Sequence, residues 1–347
     1  MADSVSHTFF YPWTIGGFFV HNEFEECRKI IQRGKRFVLT THINPDPDGI
    51  GSELALARFL MAKGKEAVIL NHSATPLNCE FLDPDNAVLQ FDPALHRDLV
   101  LSADVIFILD TNHPDRLESL KPFVLQSQAT KICIDHHLNK ADFADLYIID
   151  EPSTATGEIL YHLIAFLDEE ALTRDVAGPL YAAIMTDTGS FRFPKTDSDV
   201  HRIIAHLIDR GADPVDTYHQ LYEQGSATRV QLLGQALSTL QLAHNGTVAY
   251  ITVTRAMFDQ TRTKEEDTEN FVTYTLGLRG VRVGLMFTEL QEGVKVSLRS
   301  KGDIEVNKLA REFGGNGHKN AAGARVRNAS LSEVVAAVLD RAQHYVN

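Results

Sequence analysis

Four short stretches of this chain are apolar with no polar residue alternating between them: Phe37-Val38-Leu39, Val105 to Leu109, Ile132-Cys133-Ile134 and Leu146 to Ile149. A strand apolar on both faces must be covered on both faces, which is the situation of a parallel sheet packed between helices. Helical patterns at Phe24 to Arg33 and Gly51 to Ala62, with a further strand pattern at Ala67 to Leu70, alternate with these runs as far as Asp150. The expected architecture is therefore α/β, with a doubly wound parallel sheet in the first part of the chain.

The segments after the apolar runs are polar and rich in metal-ligand chemistry. Arg36 to Thr40 leads into Thr41-His42-Ile43-Asn44-Pro45-Asp46-Pro47-Asp48-Gly49-Ile50-Gly51-Ser52. The run 104–109 leads into Asp110, and 131–134 leads into Asp135-His136-His137. A helical stretch from Gly178 to Thr186 ends on Asp187-Thr188-Gly189-Ser190-Phe191. Ligands of doubly wound sheets gather outside the carboxyl ends of the strands, where His42, Asp46, Asp48, Asp110 and His136 would project. Carboxylates converging there with Asp187 repel one another unless cations join them. Oxygen ligands with one or two imidazoles suit manganese or magnesium better than zinc, and the number of ligands fits two ions better than one. Taken alone, the 41–52 segment also reads as a polar strand-to-helix loop with an aspartate cap.

Length and charge narrow the function. A chain of 347 residues with 44% hydrophobic residues has room for two domains with proper cores. The net charge of −13 argues against a broad basic surface for long nucleic acid. Residues 1–242 carry 19 Lys and Arg against 34 Asp and Glu, whereas residues 243–347 carry 14 against 12. An acidic, metal-loaded part and a slightly basic part suit a small polyanionic substrate. Cys27, Cys79 and Cys133 form no Cys-x-x-Cys pair and are expected as buried, reduced thiols of a cytoplasmic protein. No stretch reaches the ~20 apolar residues of a membrane span, so no membrane partner is expected. The aromatic run Phe9 to Val20 is broken by Pro12, Gly16 and Gly17 and is expected to be a loosely docked extension, with a homodimer contact left open.

From Ser153 to Leu242 the pattern is mostly helical, with caps expected at Ser153 or Thr154, at Asp197 or Ser198, and at Asp213 before Pro214. Ser226 to Leu242 is expected to be a helix connecting two domains. Strand patterns at 248–253, 282–288 and 294–298, with helical patterns at 304–313 and 330–345, make the remainder mixed. The run Gly314-Gly315-Asn316-Gly317 can turn its amides toward an anion or equally well end a helix.

The four blocks around 42–48, Asp110, 135–137 and 187 resemble, in order, the motifs of the DHH phosphoesterase superfamily. Gly314 to Gly323 resembles the glycine-rich motif of its DHH-associated domain, with Asn316 where the family usually has glycine. Matches and intervening segments span roughly residues 24–345. The resemblance implies an extension at 1–23, a catalytic domain at 24–225, a helical linker at 226–243 and a smaller substrate-binding domain at 244–347. It implies one ion on His42, Asp46 and Asp110, a second on Asp48, Asp110, His136 and Asp187, with Asp110 bridging. Manganese is the expected metal, with magnesium as the alternative. Water activated by the ions would attack phosphorus, so no Ser or Cys nucleophile is required. Asp135 would fix an imidazole tautomer, and His137 would face the scissile phosphate or leaving oxygen.

For the far end of the substrate, the resemblance implies Arg299 and His318 as phosphate ligands, with Ser300, Gly315 and Gly317 beside them and Arg116 within reach. The branch it fits best removes mononucleotides from oligoribonucleotides of a few residues and dephosphorylates 3′-phosphoadenosine 5′-phosphate. Enzymes hydrolysing cyclic or linear dinucleotides share the same blocks and stay open as the alternative, as does a non-catalytic nucleotide sensor. Short RNA and small nucleotides, not long nucleic acid, are the expected partners.

Overall fold

The computed structural model describes residues 19–346, and the side chains of residues 19–21 and His318 lie outside that description. Phe9 to Phe18, expected as part of an extension, also lie outside it. The chain divides into two compact units, one ending at Gln224 and the next beginning at Gly225.

In the first unit, β1 (Arg36–Thr40), β2 (Glu66–Asn71), β3 (Val88–Gln90), β4 (Val105–Leu109), β5 (Thr130–Asp135) and β6 (Leu146–Ile149) form one sheet. All neighbours are parallel, in the order β3-β2-β1-β4-β5-β6. The direction of winding reverses between β1 and β4, so the loops leaving their carboxyl ends diverge and leave a crevice. The unbroken apolar runs are explained by two cores. Phe37, Leu39, Val105, Phe107 and Leu109 enter one, while Val38, Ile106 and Ile108 enter the other.

The helices of this unit are α1 (Phe19–Arg33), α2 (Pro47–Ala62), α3 (Pro93–Leu101), α4 (Lys121–Gln126), α5 (Thr156–Asp168), α6 (Arg174–Asp187), α7 (Ser198–Asp209) and α8 (Pro214–Tyr222). The first begins at Phe19, earlier than the expected Phe24. Short β3 and the Asp92-capped α3 were not legible, because neither has a sustained apolar pattern.

The helix α2 packs closely on α6. A Cβ at Gly51 would lie 2.4 Å from the Pro179 carbonyl oxygen, so only glycine permits this approach. Pro179 has no N–H, which leaves the Asp175 carbonyl without its helical donor. Arg58 of α2 supplies one, its Nη1 donating to that carbonyl at 2.8 Å.

In the second unit, β7 (Gln241–Ala243), β8 (Val248–Val253), β9 (Val283–Leu290), β10 (Gly293–Ser300), β11 (Asn316–His318) and β12 (Ala321–Val326) form a sheet in the order β11-β12-β10-β9-β8-β7. It is antiparallel except for the parallel β8–β9 pair. Its helices are α9 (Ala227–Ser238), α10 (Arg255–Thr261), α11 (Thr273–Leu276), α12 (Val306–Glu312) and α13 (Leu331–Val346).

The helix expected over Ser226 to Leu242 stops at Ser238. There the Thr239 hydroxyl accepts from the Thr252 amide at 2.8 Å, and residues 241–243 pair with β8. Leu232 and Ala236 of α9 pack with Ile251, Phe271 and Met286, which makes the helix part of the second unit's own core. The three cysteines are buried, and burial pushes the Cys27 and Cys133 thiols up.

Candidate metal centre

Buried His42 leaves β1 in the strand-to-helix loop, held by the Ile43 amide donating to the Arg116 carbonyl at 2.8 Å. Its Nδ1 faces the Ile43 carbonyl oxygen at 2.8 Å. A carbonyl only accepts, so Nδ1 carries a proton; Nε2 lies 3.1 Å from Asp110 Oδ2, to which it donates when the ring is protonated. Behind the loop, the Thr41 amide donates to Asn71 Oδ1 at 3.0 Å, and Asn71 Nδ2 donates to Glu53 at 2.8 Å. Glu53 is fully buried, and its desolvation raises its carboxyl well above the usual range. This support was not legible, since Glu53 and Asn71 belong to no motif.

Asp46 and Asp48 divide the work at the start of α2. Asp46 is its N-cap, with Oδ1 accepting from the amides of Asp48 at 3.0 Å and Gly49 at 3.2 Å. Asp48 is fully buried and accepts from the amides of Thr156 at 2.7 Å and Gly157 at 2.9 Å. It therefore caps α5 from a distant part of the chain. The expected local cap is corrected: the residue before α5 is Ala155, and Thr154 instead donates to Glu158.

Asp110 ends β4 at φ 56°, a left-handed conformation that aspartate tolerates better than most residues. Its Oδ1 accepts from the Thr156 hydroxyl at 3.2 Å. His136 Nε2 sits 3.2 Å from Asp187 Oδ2, 3.6 Å from Asp110 Oδ1 and 3.8 Å from Asp48 Oδ2. None of these is in hydrogen-bonding geometry, and both His136 ring nitrogens are buried without a hydrogen-bond partner among the described residues. Asp135 Oδ1 accepts from the His136 amide at 2.8 Å and from His137 Nδ1 at 2.7 Å, so it is the His137 ring that it orients.

Ligand atoms of His42, Asp46 and Asp110 lie within 4.8 Å of one another, as do those of Asp48, His136 and Asp187. The electrostatics of this cluster follow from burial and from the crowding of like charges. Asp46, though its edge is open to solvent, is crowded by protein and by Asp110 and Asp187 and is pushed up to about 6. Burial, then Asp110 and Asp187, raise Asp48 well above its usual range. Asp110 is lowered instead: burial opposes its charge, but His136 and His42 outweigh burial. For His136, burial opposes the imidazolium, yet Asp110 and Asp187 outweigh it and raise the ring to about 11. Buried acids with buried imidazole nitrogens lacking partners fit divalent cations, because oxygen and nitrogen donors would then all be satisfied.

The chain matches the DHH family, N-terminal domain, over residues 36–184 and the DHHA1 domain over residues 245–347. It is 32% identical to a Thermus thermophilus protein named bifunctional oligoribonuclease and PAP phosphatase NrnA, covering 87% of each chain. The chain belongs to the DHH family. A Bacillus subtilis DHH relative of the same name is 28% identical over 83% of this chain and 88% of its own. The fold is shared with a crystal structure of an exopolyphosphatase-related protein from Bacteroides fragilis, at TM-score 0.90 and 29% identity, covering 94% of this chain and 98% of that one.

In the DHHA1 region the expected substrate residues have unequal freedom. Arg299 on β10 is half-buried, and burial lowers its guanidinium from its usual value. The Ser300 hydroxyl is committed to the turn after β10, donating to the Ile304 carbonyl at 2.6 Å and accepting from Asn320 at 2.8 Å. The amides of Gly314 and Gly315 donate to the carbonyls of Arg311 and Ala310 and so end α12, the second of the two readings this run allowed. Gly317, at φ 147°, lies in β11, where a Cβ would meet the Ala321 carbonyl oxygen at 2.5 Å. The His318 side chain lies outside the described residues. In the first unit, half-buried Arg116 lies close enough to His42 to act on its charge.

Proposed function

We propose that this protein hydrolyses phosphoester bonds with the aid of two divalent cations, manganese first, releasing mononucleotides from short oligoribonucleotides and phosphate from 3′-phosphoadenosine 5′-phosphate. The carrying observation is the meeting of His42, Asp46, Asp48, Asp110, His136 and Asp187 at the crevice of the parallel sheet. The substrate class is supported by the names of the Thermus and Bacillus relatives, which align with most of this chain.

His42, Asp46 and Asp110 would hold one cation, and Asp48, Asp110, His136 and Asp187 the other. Such ions would neutralise the converging carboxylates, acidify water and draw charge from the phosphoryl oxygens. The residues themselves supply orientation and proton handling. Nδ1 of His42 is committed to the Ile43 carbonyl, which keeps Nε2 turned inward. Asp135 accepts from Nδ1 of His137 and orients its ring, and His137 is assigned to bond the phosphate or give a proton to the departing oxygen. Arg299 and His318 are assigned to the far phosphate, Arg299 by bidentate bonding.

The test is purified protein with manganese against pApA, longer RNA of a few residues, 3′-phosphoadenosine 5′-phosphate and cyclic di-AMP side by side. Release of mononucleotide and phosphate from the first three supports the reading, whereas turnover of cyclic di-AMP alone moves it to the dinucleotide phosphodiesterases. Asp110→Ala is expected to lower kcat by at least 10³-fold, since Asp110 serves both ions; an Asp110→Ala protein of near-normal activity refutes the bridging role.

A further inference from the structure

Three consecutive residues just past Asp187 have left-handed backbones: Gly189 at φ 57°, Ser190 at 58° and Phe191 at 64°. Glycine adopts this freely, but serine and phenylalanine are strained there, and such strain persists only where the surroundings enforce it. Enforcement is visible. The Phe191 ring packs 6.2 Å from Tyr181 and 5.8 Å from His201, and its amide donates to the Thr188 hydroxyl at 3.1 Å.

Anchored on that side, the chain folds Phe193 back over Gly189, where a Cβ would lie 2.5 Å from its ring. Phe193 nevertheless stays 49% exposed. Arg192 Nε donates to the Gly189 carbonyl at 2.6 Å, and its guanidinium sits 6.0 Å from the centre of the Phe193 ring. The Ser190 hydroxyl faces the phenol of Tyr222, whose surroundings include Arg192 and Asp187. Tyr222 is 44% exposed and lies 5.0 Å from the ring of Tyr218.

None of these aromatic groups has a part in ligation or proton transfer. An aromatic face open to solvent, flanked by a guanidinium and next to a metal ligand, has the composition of a stacking surface for a nucleobase. Every base has a π-face, so such a surface takes purines and pyrimidines alike.

We propose that Phe193 and Tyr222, with Arg192 beside them, stack the base of the nucleotide whose phosphate lies at the metal centre. This rests on the phosphoester hydrolase reading above. The strained turn is what aims the platform, since it is held by Phe191 and bends Phe193 back over Gly189, two residues past Asp187.

The experiment compares pApA with two analogues, each lacking one base, using wild type, Phe193→Leu, Tyr222→Leu and the conservative Phe193→Tyr. The two leucine variants are expected to raise KM for pApA about tenfold with kcat little changed. They are expected to leave KM unaltered for the analogue lacking the stacked base, while Phe193→Tyr behaves as wild type. Equal changes on pApA and both analogues, or no change on any, overturn the platform. A second readout needs no turnover: quenching of pApA carrying 2-aminopurine, measured with calcium in place of manganese. Quenching by wild type that is lost in Phe193→Leu supports the platform even if no substrate is hydrolysed, in which case the hydrolase reading alone fails. Absence of quenching by wild type overturns the platform whatever the hydrolysis assay returns.

Discussion

Asp48 serves two ends at once: its carboxylate caps α5 through the Thr156 and Gly157 amides and also faces His136 across the metal centre. Asp46 divides itself in the same way between capping α2 and facing His42. Both acids are therefore held in place before any cation arrives, at the cost of raised pKa values. Without metal, Asp46 is largely protonated below about pH 6, and His136, raised to about 11, is protonated at neutral pH. Cation binding must displace those protons, so affinity for manganese is expected to fall as pH drops through 6, with proton release at pH 7. Titration calorimetry in buffers of differing ionisation enthalpy measures the release directly; a buffer-independent heat would contradict it. The residues proposed as ligands were legible because their types are chemically distinctive and each follows an apolar run. The long-range cap was not, because Thr156 and Gly157 contribute backbone amides, which carry no side-chain signature.

The elements that matter most are α2, α5 and α6, which bring three of the four ligand-bearing segments together. Gly51 against Pro179 and Gly157 against Ala183 set their spacing, with virtual Cβ contacts of 2.4 and 2.6 Å. Gly51→Ala is expected to force α2 away from α6 and lower stability by about 3 kcal/mol, the upper part of the range for overpacking. Because Asp48 rides on α2, the same variant should bind manganese more weakly, and denaturant unfolding with and without metal separates the two effects. Helix existence was legible for α2 and α6 from apolar content. Their separation was not, since a glycine reads as a loop residue until its opposing carbonyl is known. The same limit explains the 314–317 run: composition fits a nest or a helix end, and the bonds from Gly314 and Gly315 to Arg311 and Ala310 decide for the end.

At the scale of the whole molecule, each unit has its own sheet and its own hydrophobic clusters, and all six proposed ligands belong to the first unit. Manganese is accordingly expected to slow amide exchange at 41–52 and at the start of α5 while leaving the β9–β10 ladder unchanged. At 100 times its Kd, each bound ion should stabilise the first unit by about 2.7 kcal/mol. Hydrogen-exchange mass spectrometry with and without manganese reads this out, and uniform protection of both sheets would count against it. Among the described residues, no helix is long and apolar enough to cross a membrane. Side-chain chemistry and spacing along the chain suffice to specify a buried parallel sheet with acids and imidazoles at its edge, because burial on two faces and metal ligation both demand particular residue types. Which backbone amides cap Asp48, how closely α2 approaches α6, and where Phe193 points depend on contacts between segments far apart in the chain. Those contacts are made by backbone atoms and packing distances, which exist only once the chain has folded.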